Sequence, residues 1–280
     1  MNSKKLLLAF GSVALIAVAW FYFAPPYKPP RNYPPLADAE QQSMDVKLFN
    51  ELSVKGSWPP HYTNERRQEL ILNMAKQGFE VADLAYQLLD VKYGMSGRHW
   101  LTPWEWGAYR HLRDLADRGD SSAQCLAALV IRRWQLSMTD YEIYVVRAAE
   151  NGQPFCVYKM GGLLMPPDFP GQKTVLDEHK GAEFMLLAAK KGVQEAQIYL
   201  MNSYAHGSRG YPLNIGKAKC WFSLAEQADT GATLTERSNL DWLIQQAQEK
   251  GIDVSDRYDP NQWCDTKLTD SAKNKDRKGP

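Results

Sequence analysis

The chain has 280 residues, 44% of them hydrophobic, and 33 basic residues nearly balance 32 acidic ones to give a net charge of +1. This length can hold one large domain or two small ones, and the hydrophobic content is ordinary for a folded core. The near-neutral charge excludes a strong overall field that would attract nucleic acid or an acidic membrane surface.

The first 24 residues have the pattern of a membrane anchor. Lys4 and Lys5 precede an uncharged run over residues 6–24, which is long enough to cross a bilayer as a helix. The lysines favour a cytoplasmic N-terminus and an exported remainder. The alternative is a signal peptide cleaved after Ala17–Ala19. We favour the uncleaved anchor, because cleavage there would leave a cluster of aromatic residues at the new N-terminus.

Residues 25–35 are rich in proline, which favours an extended, semi-rigid spacer. At the other end, residues 253–280 are irregular, and their last part is too polar to bury much surface, so we expect it to be disordered. The folded domain is therefore predicted to span residues 36–252.

The four cysteines do not form a C-x-x-C pair with the spacing of a metal or redox site. In an oxidising compartment, a bridge from Cys220 to Cys264 is allowed and would tie the tail to the preceding helices. Cys125 and Cys156 fall where a small apolar residue is wanted, so we expect them to be buried free thiols.

Helical periodicity and capping signals recur through the domain. For example, Thr102 is followed by Pro103 and Glu105, and Thr139 is followed by acidic residues, both good helix starts. The first predicted helix spans residues 36–52, and a second is capped by Thr63 or Asn64. Four more begin near Val81, Ser122, Phe155 and Glu195, and their partners span residues 103–117, 139–150, 177–190 and 214–227. The last predicted helix runs from Thr233 or Thr235 to Gly251.

Four copies of the pattern A-x-x-G-x-x-x-(A/C) mark the junctions between helices. Their glycines are Gly78, Gly119, Gly152 and Gly192. A glycine after a helix can take the left-handed conformation that caps it, and a small residue four positions later lets the next helix pack closely. The glycines recur at intervals of about 33 to 41 residues, as helical solenoids do. The sequence thus predicts an array of helix pairs.

The clearest copy, YAHGSRGYPLNIGKAKCWF, resembles the Sel1-like repeat, a relative of the tetratricopeptide repeat. The matching residues are Tyr204, Gly207, Gly210, Asn214, Lys217, Ala218, Trp221 and Phe222. The copy departs from the family in having one extra residue between the glycines and Glu226 after Ala225. The resemblance implies an all-α, right-handed α-solenoid, and such solenoids supply extended binding surfaces.

The common catalytic and nucleotide-binding motifs are absent from the sequence, and its five histidines are scattered. We therefore predict no catalytic residue, no metal ligand and no cofactor, and we expect a binding protein rather than an enzyme.

Three inter-helix loops carry residue types that dominate binding energy at protein interfaces. They span residues 94–106, 165–174 and 207–212, and loops of a solenoid often share the binding side. The candidate partner-binding residues are Arg98, His99, Trp100, Trp104, Phe169, Arg209 and Tyr211. For the loop at residues 94–106, which carries Arg98, His99, Trp100 and Trp104, local packing is the alternative to a partner contact.

The layout of anchor, proline spacer, helical lead-in and repeats is similar to that of bacterial envelope immunity proteins, which protect against phospholipase effectors of the type VI secretion system. This resemblance implies a protein partner, a secreted phospholipase toxin, blocked outside the membrane. It also implies a single-pass inner-membrane protein with a periplasmic repeat domain, or a cleaved form soluble in the periplasm. An envelope scaffold that recruits an endogenous protein is the alternative function.

Overall fold

The fold comes from a computed structural model, which describes residues 38–53, 64–89, 101–165, 177–228 and 233–251, together with residues 254 and 264. Within these ranges every regular element is an α-helix, which confirms the all-α prediction for this part of the chain. The helices are α1 (Asp38–Ser53), α2 (Asn64–Lys76), α3 (Glu80–Leu88), α4 (Pro103–Asp117), α5 (Ser121–Trp134), α6 (Met138–Glu150), α7 (Pro154–Leu164), α8 (Glu178–Lys190), α9 (Gln194–His206), α10 (Ile215–Glu226) and α11 (Thr233–Glu249).

The capping residues explain why the helices begin where they do. Thr102 and Glu105 form a complete capping box at the start of α4, and Asn214 accepts a hydrogen bond from the backbone N–H of Lys217 at the start of α10. The predicted cap of α6 is wrong, however. Ser137 Oγ, and not Thr139, caps the helix by accepting from the backbone N–H of Asp140 at 3.2 Å. The α6 helix therefore begins one residue earlier than predicted.

The four predicted junctions share one backbone geometry. Their φ angles are 102° at Gly78, 99° at Gly119, 81° at Gly152 and 87° at Gly192. Each glycine N–H donates to the alanine carbonyl three residues earlier, and the next N–H donates to the carbonyl five residues earlier. The small residue four positions after each glycine is fully buried. The glycine and small-residue prediction is therefore confirmed at all four positions.

The helices fall into two compact units. The first contains α2 to α5 and α6 up to Arg147; its core includes Trp134, whose indole N–H donates to Leu88 O at 2.7 Å. In the same unit, His111 Nε2 lies 2.8 Å from Glu80 Oε1.

The second unit contains α7 to α11 and also α1 from Ala39 onward. The α1 helix is distant in sequence from the helices that it contacts: Phe49 stacks on Phe155 with ring centroids 5.5 Å apart. The sequence pattern predicts this helix only as a lead-in to the array, and it carries no signal for these contacts.

Asn50 on α1 completes the junction at Gly192. The residue after this glycine, Val193, occupies the N-cap position of α9 and has no side chain that can accept a hydrogen bond. Asn50 Oδ1 accepts from the backbone N–H of Gln194 at 3.0 Å, and Asn50 Nδ2 donates to Gly192 O at 3.0 Å. A helix from far away in sequence thus supplies the missing cap.

The turn between α9 and α10 is fixed by several backbone bonds. Gly207 ends α9 in the left-handed conformation with a φ of 61°, and the N–H of Asn214 donates to Tyr204 O at 2.8 Å. The N–H of Tyr211 donates to Ser208 O at 3.0 Å. These bonds leave the turn little freedom.

All four cysteines are in disulfides. The bridge between Cys220 and Cys264, which the sequence allows but does not establish, is present, with Cα atoms 6.0 Å apart. The prediction of free thiols at Cys125 and Cys156 is wrong, because both are disulfide-bonded. Their burial, which suggested inert thiols, is equally compatible with a buried bridge.

The described helices are not suited to crossing a bilayer. None of them is both long enough and apolar enough; the longest, α11, has 17 residues, and a span needs about 20 predominantly apolar ones. This finding corrects the predicted localisation as a single-pass inner-membrane protein. The predicted anchor (1–24) and spacer (25–35) lie outside the described residues, as does nearly all of the predicted tail, and the domain boundaries remain a prediction.

We expect Asn50→Ala to destabilise the second unit by about 2 kcal/mol, because it removes one buried and one partly buried hydrogen bond and leaves the N–H of Gln194 without an acceptor. Asn50→Asp keeps the acceptor but places a carboxylate oxygen against Gly192 O, so it too should destabilise. Urea denaturation measures both effects. Gln42→Ala, at an exposed position of the same helix, is the control and should change stability by less than about 0.5 kcal/mol. Equal effects of the Asn50 and Gln42 variants would contradict the capping role.

We expect Gly207→Ala to destabilise the protein more than Gly210→Ala does. A Cβ at Gly207 would lie 3.0 Å from the backbone nitrogen and Cβ of Leu213, whereas a Cβ at Gly210 meets nothing within 4 Å. Both residues have positive φ, so each variant carries backbone strain of about 1 kcal/mol, and only the first adds a clash. Denaturation midpoints measure the difference; similar midpoints would rule out the steric explanation.

Candidate functional site

Four of the predicted partner-binding residues, Arg98, His99, Trp100 and Phe169, lie outside the described residues. The prediction that three loops share one side of the array therefore remains a prediction. The other three residues are described: Trp104 in the first unit, and Arg209 and Tyr211 in the second.

Trp104 lies in the first turn of α4 and is 72% exposed. Trp134 and Trp221, by contrast, are buried. A large exposed indole has a high apolar area to offer a partner, and the position of Trp104 on a rigid helix end keeps that area in place.

Arg209 is exposed and has an unusual backbone conformation. Its φ is 56°, a left-handed value that is uncommon for residues other than glycine. Its guanidinium lies 4.6 Å from the centroid of the Tyr199 ring, within the range of a cation–π contact. The turn therefore holds Arg209 against an aromatic ring at a cost of about 1 kcal/mol in backbone strain.

Tyr211 is a packing residue in this structure and does not present its ring to a partner. It is only 4% exposed, its hydroxyl donates to Ala182 O at 3.2 Å, and its ring meets Tyr204 edge to face at 5.1 Å. Burial raises the pKa of the Tyr211 hydroxyl well above its ordinary value. Its contribution is to fix the turn that carries Arg209.

Lys159 on α7 forms a second cation–aromatic group that sequence analysis did not identify. Its ammonium lies 4.5 Å from the Phe155 centroid and 4.7 Å from the Tyr158 centroid, and 2.9 Å from Glu195 Oε2 on α9. Burial first, and then the Glu195 carboxylate, raises the pKa of Tyr158 far above its ordinary value. The sequence carries only the adjacent pair Tyr158-Lys159 as a signal, which is too common to be informative.

Lys217 at the start of α10 forms a third such group. Its ammonium lies 5.1 Å from the centroid of the Tyr204 ring, and burial lowers the pKa of this lysine. In the Sel1-like resemblance both residues mark the repeat, and here they are in direct contact.

We call Tyr158, Lys159, Tyr199, Arg209 and Lys217 the cation–aromatic surface. Its members come from α7, α9, α10 and the turn before α10, all in the second unit. Each side chain is partly or fully exposed, and each cation is held over a ring. The arrangement can bind a partner through apolar and charged contacts together.

A cluster of polar side chains in the first unit is held together by a hydrogen bond and an ion pair. Tyr144 donates to Asp117 Oδ1 at 3.1 Å, and Arg147 lies 3.9 Å from the same oxygen. Burial raises the pKa of nearby Tyr109 to about 12. In the described part of the chain, groups of three or more His, Cys, Asp or Glu that could hold a metal ion are absent.

Comparisons with known proteins include a similar solved structure. No family model and no curated protein matches the chain. The crystal structure of a Sel1 repeat protein from Oxalobacter formigenes is similar at 20% sequence identity over 82% of this chain and 85% of that one, with a TM-score of 0.45. Because this score is too low to establish a shared fold, the helix-pair architecture rests on the junction geometry described above.

Proposed function

We propose that this chain is a non-catalytic, protein-binding repeat protein and that the cation–aromatic surface contacts its partner. The observation that carries the proposal is Arg209, an exposed arginine at a left-handed φ of 56° whose guanidinium lies over Tyr199. Unfavourable backbone conformations concentrate at functional sites, where the surrounding structure maintains them. Here the bonds of the turn and the buried Tyr211 do so.

The chemistry of the surface also supports binding. Arginine and tyrosine are enriched among the residues that contribute most to protein–protein affinity. Three cations held over rings have already lost much of their rotamer freedom, so less entropy is lost when a partner binds. A stable complex would bury about 1,200–2,000 Å² in total, so a partner would also cover residues around this surface.

For the identity of the partner, the sequence layout provides the candidate. The similarity of the proline spacer, helical lead-in and repeats to those of immunity proteins supports a secreted phospholipase of the type VI secretion system as the protein that is bound. The proposed mechanism is steric: the repeat protein covers the catalytic cleft of the phospholipase and excludes lipid. The alternative of a scaffold for an endogenous protein predicts binding without inhibition of any toxin.

We expect the purified chain to bind and inhibit the phospholipase encoded by the neighbouring gene, and we expect Arg209→Ala to weaken binding at least tenfold, a typical loss for a residue at the centre of an interface. Calorimetry measures the affinity, and release of fatty acid from vesicles measures inhibition.

Arg133→Ala is the matched control, because Arg133 also lies over an aromatic ring, at 5.0 Å from the Trp134 centroid, but in the first unit. It should bind like the parent. If the neighbouring product neither binds nor is inhibited, the immunity function is wrong. If it binds the Arg209 and Arg133 variants equally, the phospholipase is a partner but the cation–aromatic surface is not its site.

A further inference from the structure

Lys159 of the cation–aromatic surface is held by a buried ring and by a carboxylate. Its ammonium lies 4.5 Å from the centroid of the Phe155 ring and 2.9 Å from Glu195 Oε2. The side chains of Lys159 and Glu195 are only 20% and 22% exposed, so this ion pair is largely withdrawn from water. A desolvated ion pair is favourable only when its geometry is good. The residues that fix Phe155 and Glu195 therefore also fix the cation.

The α1 helix fixes the ring. Phe49 of α1 stacks on Phe155, with the ring centroids 5.5 Å apart and an angle of 21° between the planes. Both rings are buried within the second unit. Aromatic rings at this separation attract one another in preferred geometries, in addition to the effect of burial. The position of Phe155 beside Lys159 thus depends on a residue that lies far earlier in the sequence.

The same helix fixes the carboxylate. Asn50, the residue after Phe49, accepts from the backbone N–H of Gln194 through its Oδ1 atom at 3.0 Å. Glu195 follows Gln194 directly in the first turn of α9. The first N–H groups of a helix have no partner within the helix, and a helix end without a cap frays. Asn50 therefore holds the turn from which Glu195 reaches Lys159.

We propose that α1 positions the Lys159–Glu195 pair for partner binding, with Phe49 acting through Phe155 and Asn50 acting through the first turn of α9. Phe49 and Asn50 are 0% and 5% exposed, so both are positioning residues and neither is itself a contact for a partner. The consequence for affinity rests on the proposed function. The positioning itself can be observed without a partner.

The first test observes Lys159 by NMR in the full chain, labelled with ¹³C and ¹⁵N. Protons over the face of an aromatic ring resonate upfield, so we expect upfield signals for the ε-methylene of Lys159, assigned from their loss in Lys159→Gln. Phe49→Leu keeps a large apolar side chain but removes the stacked ring. It should move these signals towards those of exposed lysines. Asn50→Ala should move them in the same direction, because it releases Glu195.

Leu240→Ala is the control for a general loss of stability. Leu240 is buried in the same unit, but it lies on α11. Truncation of a buried leucine leaves a cavity, so this variant should lower the denaturation midpoint without moving the Lys159 signals. The inference is overturned if the signals are unchanged in Phe49→Leu and Asn50→Ala, or if Leu240→Ala moves them equally.

The second test measures affinity for the phospholipase encoded by the neighbouring gene by calorimetry. Phe49→Leu should weaken binding about two- to thirtyfold, the range for residues that act on a site without touching its ligand. In a Lys159→Gln background the same change should have little further effect, because residues that act through one another are not additive. Additive losses would contradict the route through Lys159.

The two tests separate this inference from the proposed function. A phospholipase that does not bind the parent chain contradicts the proposed function, and the Lys159 signals then decide the positioning by themselves. A phospholipase that binds the parent, combined with Lys159 signals that the α1 variants leave unchanged, overturns the inference and leaves the proposed function intact.

Discussion

The reversal of the chain at a glycine of positive φ is the constraint on which the helix pairs depend. At Gly78, Gly119, Gly152 and Gly192 the same two backbone bonds end one helix, and the fully buried small residue four positions later brings the next helix close. A side chain at the glycine would be strained, and a large residue at the buried position would separate the helices. The two requirements act together, which is why the sequence pattern recurs as a unit.

At the Gly192 junction, the local sequence lacks a side chain that can cap the next helix. Val193 cannot cap α9, and the cost of an unpaired buried N–H is avoided because Asn50 arrives from α1. The packing of α1 in the second unit, where Phe49 also stacks on Phe155, thus meets the capping requirement of this junction.

The boundary between what could and could not be predicted follows from the range of the interactions. Caps act within three or four residues, so Asn214, Asp177 and the Thr102 capping box could be identified from the sequence, and the helix bounds follow closely. Contacts across many residues could not. The burial of Tyr211 depends on Ala182 and Tyr204, and the pairing of Asn50 with Gln194 depends on how α1 packs. The one sequence signal for the latter was Val193 itself, an apolar residue where a cap was needed.

The proposed binding role of the cation–aromatic surface depends on contacts that the protein makes before a partner arrives. Lys159 already contacts Glu195 and two rings, and the turn before α10 holds Arg209 over the Tyr199 ring. A partner would therefore gain chiefly from a rigid surface that needs little reordering.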